Sequence, residues 1–243
     1  LAGYEDKLKG WNLAKALTAA DVDAALAGSP RVLLATEGAN FLEGQPERVA
    51  QAHAWGVRHL QLIHFIQSPL GDRQTAEPIH GGLTPLGAKV VAECRRLGIV
   101  VDMAHGTSAL VDGVLEASDA IPVWSHSWIS AQGGGWTDPS YIARSLSPAT
   151  ARKIARRGGA VGLWTVRVNR DPAYPVHNAT TYADEIVRMC ELVGPEHVAF
   201  GTDMEGAGPG AILSNYVDLR EVADKLAKRG LSEAELQNVF IGN

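Results

Sequence analysis

A chain of 243 residues, 46% of them hydrophobic, can bury a large core and fits one big domain over residues 1–243 better than two small ones. With 27 acidic against 22 basic side chains and a formal charge of −5, it lacks the basic footprint that nucleic acid demands. No apolar stretch approaches the roughly 20 residues needed to cross a bilayer, so the chain reads as soluble, with short peptides or other small molecules as partners.

In chain order, residues 1–28 read as a helical opening segment, after which short apolar runs alternate with amphipathic helices to the end. Strands are predicted over 31–36, 58–63, 99–103, 121–125, 160–166 and 198–202. Each is Leu-rich or β-branched without strict alternation, the pattern of parallel strands covered on both faces. Several intervening helices carry their own boundaries. Thr84 and Pro85 open "TPLGAKVVAECRRLG" and Gly98 closes it; Ser147, Pro148 and Gly158 repeat the device; Ser232 and Glu235 form a capping box. The Gly-rich "SAQGGGWTDPSY" reads as a mobile loop at the mouth of a site. Cys94 and Cys190 lie in helix-like stretches outside any C-x-x-C spacing and read as buried free thiols.

The strand ends share a property. Glu37 closes the first run, His64 the second, His105 follows the third with Asp102 just before it, His126 follows the fourth, and Asp203 the last. Functional groups drawn from the C-terminal ends of many strands, with no G-x-G-x-x-G turn after any of them, favour a TIM-type (β/α)8 barrel over a doubly wound sheet. A closed barrel needs eight strands and six are found. The first 30 residues do not supply the others, so the first two strands are expected to be missing from this chain, whose six would leave unpaired edges.

Glu37, His105 and His126 at one barrel mouth suit a divalent metal of zinc type, which supplies hydroxide at neutral pH and so hydrolase chemistry. Asp203 is placed to carry a proton from water to a leaving group. Each of these histidines alone has the ordinary reading of a hydrogen-bonded core residue, and only their shared placement lifts them. Asp102 either orients a ligand histidine or bonds nearby backbone N–H groups. Arg144, just before a helix cap, reads in isolation as a solvated side chain. His80 is within loop reach of the mouth, whereas His53, His59, His177 and His197 read as surface or strand-base residues. Trp124, Trp128 and Trp136 either line a pocket or fill core.

Taken together, "TEGANFLEG", "GVRHLQLIH", "GGLTPLGAKVVAECRRLGIVVDMAHGTS", "IPVWSHS", "ARSLSP", "HVAFGTDMEG" and "NVFIGN" resemble, in order, the membrane (renal) dipeptidase family of zinc peptidases among the amidohydrolase-like barrels. The resemblance implies a zinc-dependent dipeptidase. Glu37 would bridge two zinc ions, with His105 and His126 completing the shell of the second. His64 would bind substrate and stabilise the developing oxyanion, Arg144 would pair with the substrate's terminal carboxylate, and Asp203 would shuttle the proton. The family's first strand ends in a His-x-Asp pair that holds the other zinc, and no H-x-D occurs here. The chain also stops at Asn243, where the family continues through another helix; both ends therefore read as cut, and turnover by the 243-residue form is left open. Glu205 stands where the family has a second aspartate and reads as structural. The family includes dimers, and a cytoplasmic or exported bacterial setting fits. The alternatives are a non-catalytic or decayed homologue that binds metal without turnover, and a phosphate-binding barrel using "EGAGPG".

Overall fold

The computed structural model describes residues 2–135, 137, 141–167, 174–207 and 210–243. The chain begins with α1 (Ala2–Gly10), β1 (Ala14–Lys15), α2 (Ala19–Leu26) and β2 (Arg31–Val32). Six parallel strands then follow in sequence order across one sheet: β3 (Leu34–Thr36), β4 (Val57–Gln61), β5 (Val100–Asp102), β6 (Pro122–Ser127), β7 (Ala160–Trp164) and β8 (Val198–Gly201). The crossovers between them carry α3 (Arg48–Ala54), α4 (Pro85–Leu97), α5 (Ser108–Ala117), α6 (Pro148–Arg156) and α7 (Ala179–Val193). After β8 come α8 (Met204–Ala207), α9 (Leu219–Lys228) and α10 (Glu233–Gln237). No helix of the described residues is long and apolar enough to cross a membrane.

The sheet curls. Thr36 at one edge and Phe200 and Gly201 at the other line the same cavity of about 320 Å³, together with Gln61, Asp102 and Ser125 from the strands between. In a flat six-stranded sheet the edges would lie roughly 24 Å apart, at about 4.8 Å per strand step. A shared cavity requires the arc of an α/β barrel, with strand C-termini gathered at one mouth.

The helix signals act as their chemistry dictates. Thr84 Oγ1 accepts from the Gly87 N–H, Pro85 opens α4, and Gly98 ends it with φ at 70°, a conformation that disfavours any side chain. Ser147 caps α6, and Ser232 and Glu235 form the reciprocal box of α10.

Two expectations need correction. The run 31–36 is two strands, not one, because the Val32 carbonyl is taken by the Ala16 N–H. Its first part therefore ladders with β1 in a separate two-stranded sheet, and only the second part joins β4. The opening segment is likewise not wholly helical, since β1 interrupts it. Trp124 and Trp128 are 0% and 1% exposed, so both are core, and neither lines the cavity inside the curled sheet; Trp136 lies outside the described residues. Cys94 is buried and Cys190 half-buried, and burial pushes each thiol up to about 12.

Strands β6, β7 and β8 approach closely because Gly162 and Gly201 have no side chain. A methyl group on either would overlap the Ser125 carbonyl oxygen. Gly201→Ala is therefore expected to lower stability by about 1–3 kcal/mol, the range for overpacking a filled interior. Denaturant unfolding measures this, and a midpoint equal to that of the parent would contradict the close approach.

Candidate active site

The mouth of the barrel gathers side chains from five strand ends. Glu37 follows β3, His64 lies beyond β4, His105 beyond β5, His126 sits within β6, and Asp203 follows β8. Around Glu37 Oε1 stand three imidazole nitrogens: Nε2 of His64 at 3.3 Å, of His105 at 3.4 Å and of His126 at 3.5 Å. His105 and His126 bring their Nε2 atoms within 3.0 Å of one another. His105 and Asp203 reach their positions through left-handed backbone, with φ of 70° and 44°. Non-glycine residues seldom adopt this conformation, and it turns each side chain back over the mouth as its strand ends.

Burial holds His105 and His126 well below the ordinary imidazole pKa, and the positive charge of Arg144 adds to the effect. Both rings are therefore neutral near pH 7 and present lone pairs. His105 Nδ1 is buried without a hydrogen-bond partner among the described residues, whereas His126 Nδ1 meets Ser125 Oγ at 2.8 Å. Ser125 is itself fixed from below. Asp102 Oδ1 accepts the N–H groups of Ser125 at 3.1 Å and Ala104 at 2.9 Å, while Oδ2 meets His59 Nε2 at 3.0 Å. Burial works to raise the Asp102 pKa, but the bonds from His59, Ser125 and Ala104 outweigh it and leave the carboxyl lowered. Of the two readings of Asp102, the backbone one is seen directly; the histidine it bonds is His59, and it reaches the cluster only through the backbone of Ser125, whose hydroxyl meets His126. His59, read as a surface or strand-base residue, lies within β4 with its side chain 21% exposed, and lines the same cavity as Asp102.

On the other side of the mouth, Trp164 touches three functional groups. Its Nε1–H donates to Asp203 Oδ2 at 3.0 Å, its ring lies 5.8 Å from that of His126, and the Arg144 guanidinium carbon sits 5.4 Å from its centroid. Burial raises the Asp203 pKa, the Trp164 bond opposes this, and the Glu37 carboxylate adds to the rise. Arg144 is not solvated: it is 3% exposed, and burial lowers its pKa to about 10, so it stays charged at neutral pH. The 3-10 turn Tyr141–Arg144 that carries it is tied to the end of β6, where Ser127 Oγ donates to the Arg144 carbonyl. His80 is exposed and its backbone N–H bonds Asp72; the Glu205 side chain and part of each loop 130–141 and 205–210 lie outside the described residues.

Strand-end reasoning missed Gln74, Ser125, Trp164 and Phe65. The Phe65 ring stands edge-on to His105 with centroids 4.8 Å apart, half-exposed at the mouth. No sequence signal marks Gln74 or Phe65, whereas Ser125 and Trp164 lie beside or at strand ends.

Together these features define a parallel α/β barrel with a carboxylate–imidazole cluster at its C-terminal mouth. The chain belongs to the membrane dipeptidase family, peptidase family M19, whose model matches residues 7–243. It is 29% identical over 221 residues to Dipeptidase 3 of Macaca fascicularis, covering 87% of this chain and 43% of that protein. To Dipeptidase aclJ of Aspergillus oryzae it is 31% identical over 218 residues, covering 87% and 49%. A solved metallo peptidase from Rhodobacter sphaeroides, liganded with a phosphinate mimic of the dipeptide L-Ala-D-Ala, superimposes with a TM-score of 0.82 at 22% identity, over 98% of this chain and 69% of that one. The chain thus spans about half the length, or somewhat less, of these curated relatives.

Membership implies a metal ion, and the donor set fits one. Glu37, His105 and His126 each offer a ligand atom, all within 4.8 Å of one another. A carboxylate with two neutral imidazoles suits borderline divalent cations.

Proposed function

We propose that the protein hydrolyses dipeptides with zinc held by Glu37, His105 and His126. The observation that carries this reading is the ring of three imidazole nitrogens 3.3–3.5 Å from Glu37 Oε1, two of them buried and neutral. Such a cation supplies Lewis-acid activation of water at neutral pH. The chain's own residues do the rest. Arg144 binds the C-terminal carboxylate of the substrate through N–H groups that no atom of the described residues occupies. His64, with its side chain 30% exposed beside Glu37, donates to the oxygen on which negative charge develops. Asp203 Oδ takes a proton from the attacking water and returns it to the leaving amine, held in place by the Trp164 N–H. The relatives named dipeptidases and the phosphinate-liganded structure support the same substrate class.

Metal removal tests this directly. Exhaustive chelation of the protein is expected to abolish dipeptide hydrolysis, and stoichiometric zinc to restore it. Full activity in a preparation shown by elemental analysis to hold no divalent metal would refute the proposal.

A further inference from the structure

A guanidinium buried as deeply as that of Arg144 ordinarily faces a carboxylate, because an uncompensated interior charge is strongly unfavourable. Glu37, Asp102 and Asp203 lie near enough to favour its charge, yet among the described residues none of them accepts a hydrogen bond from it: Nη1 donates to the neutral Gln74 Oε1 at 2.8 Å, and Nε and Nη2 are buried with no partner. Gln74 is itself 7% exposed and held on every side. Its Nε2 donates to the Ser145 carbonyl at 2.8 Å, and its backbone N–H donates to the His105 carbonyl at 2.8 Å. The amide can therefore sit only one way round, with oxygen to Arg144 and nitrogen to Ser145. The loop that carries it is pinned by hydrogen bonds. The Asp72 carboxylate accepts the N–H groups of Ile79 at 2.8 Å, His80 at 3.0 Å and Gly82 at 2.7 Å.

We propose that Gln74 is the positioning residue of the substrate-carboxylate site, aiming Arg144 with a neutral amide so that two of its N–H donors remain free for the C-terminal carboxylate of a dipeptide. This rests on the reading of Arg144 as that carboxylate's partner. Gln74 also ties Arg144 to the main chain of His105, so that one residue links the carboxylate site to the cation cluster. A glutamate at 74 would pair with Arg144 itself and turn its second oxygen on the Ser145 carbonyl.

The experiment compares the zinc-loaded parent with Gln74→Glu, Gln74→Met and Arg144→Met, using the dipeptide Ala-Ala and its C-terminal amide as probes. KM and kcat are measured for each, or the inhibition constant where the amide binds without turnover. In Gln74→Glu, KM for the free dipeptide is expected to rise roughly ten- to hundredfold, the scale of a lost charge-assisted hydrogen bond, with kcat and the amide constants changed by no more than about threefold. Gln74→Met, which keeps the length without the acceptor, is expected to raise the same KM by about threefold or more. Circular dichroism melting checks folding, and Gln74→Met decides the matter where Gln74→Glu does not fold. If Arg144→Met abolishes discrimination between dipeptide and amide while both Gln74 variants keep it, the inference about Gln74 is overturned and the reading of Arg144 stands. If Arg144→Met itself retains that discrimination, the carboxylate reading falls, and this inference with it.

Discussion

Asp203→Asn is expected to lower kcat for dipeptide hydrolysis by about 10²- to 10⁴-fold, the range for a lost general acid–base, with little change in KM. The substitution is nearly isosteric, and an asparagine oxygen still accepts from Trp164 Nε1, so the side chain keeps its place. What it loses is the capacity to accept and release a proton. The same variant should lose the acidic limb of the kcat/KM profile. In the parent, activity is expected to fall as pH falls through the Asp203 pKa, which burial places above the usual aspartate value. Steady-state kinetics across pH checks both statements. A kcat within a few-fold of the parent, with the acidic limb intact, would remove Asp203 from the reaction.

Glu37→Ala carries the second large effect. The Glu37 side chain is 41% exposed and contributes little to the core, so the variant should fold. Its carboxylate is nevertheless the centre of the cluster, and His105 and His126 alone would have to hold the cation. Loss of a group that merely orients a ligand costs about 10- to 100-fold in metal affinity, so loss of the ligand itself is expected to cost about 100-fold or more. Competition against a chelator of known affinity measures it. Zinc affinity within about tenfold of the parent would mean that Glu37 is not a ligand, whatever its position.

Much of this architecture is written locally. The strands of the sheet fall on apolar runs that flank capped helices, and Thr84, Ser147 and Ser232 mark helix starts because each side chain satisfies a backbone N–H within three residues. The convergence of Glu37, His64, His105, His126 and Asp203 was legible for a related reason: parallel strands in a barrel all end on one face. The β1–β2 ladder was not, since two-residue strands are too short to carry a periodicity. Partnerships across the molecule were hidden as well. His59 pairs with Asp102 over 43 positions and Gln74 with Arg144 over 70, distances that composition and spacing do not encode. Burial of Arg144 depends on how its turn packs against the end of β6, and so a charge that looked solvated is enclosed.

The left-handed backbone at His105 and Asp203 carries an evolutionary consequence. Glycine or asparagine would relax the chain at both positions, so screening for heat tolerance alone should enrich such replacements and discard the chemistry along with the tension. Any effort to harden this protein for use must select for turnover in the same round, or fix those two codons at the outset.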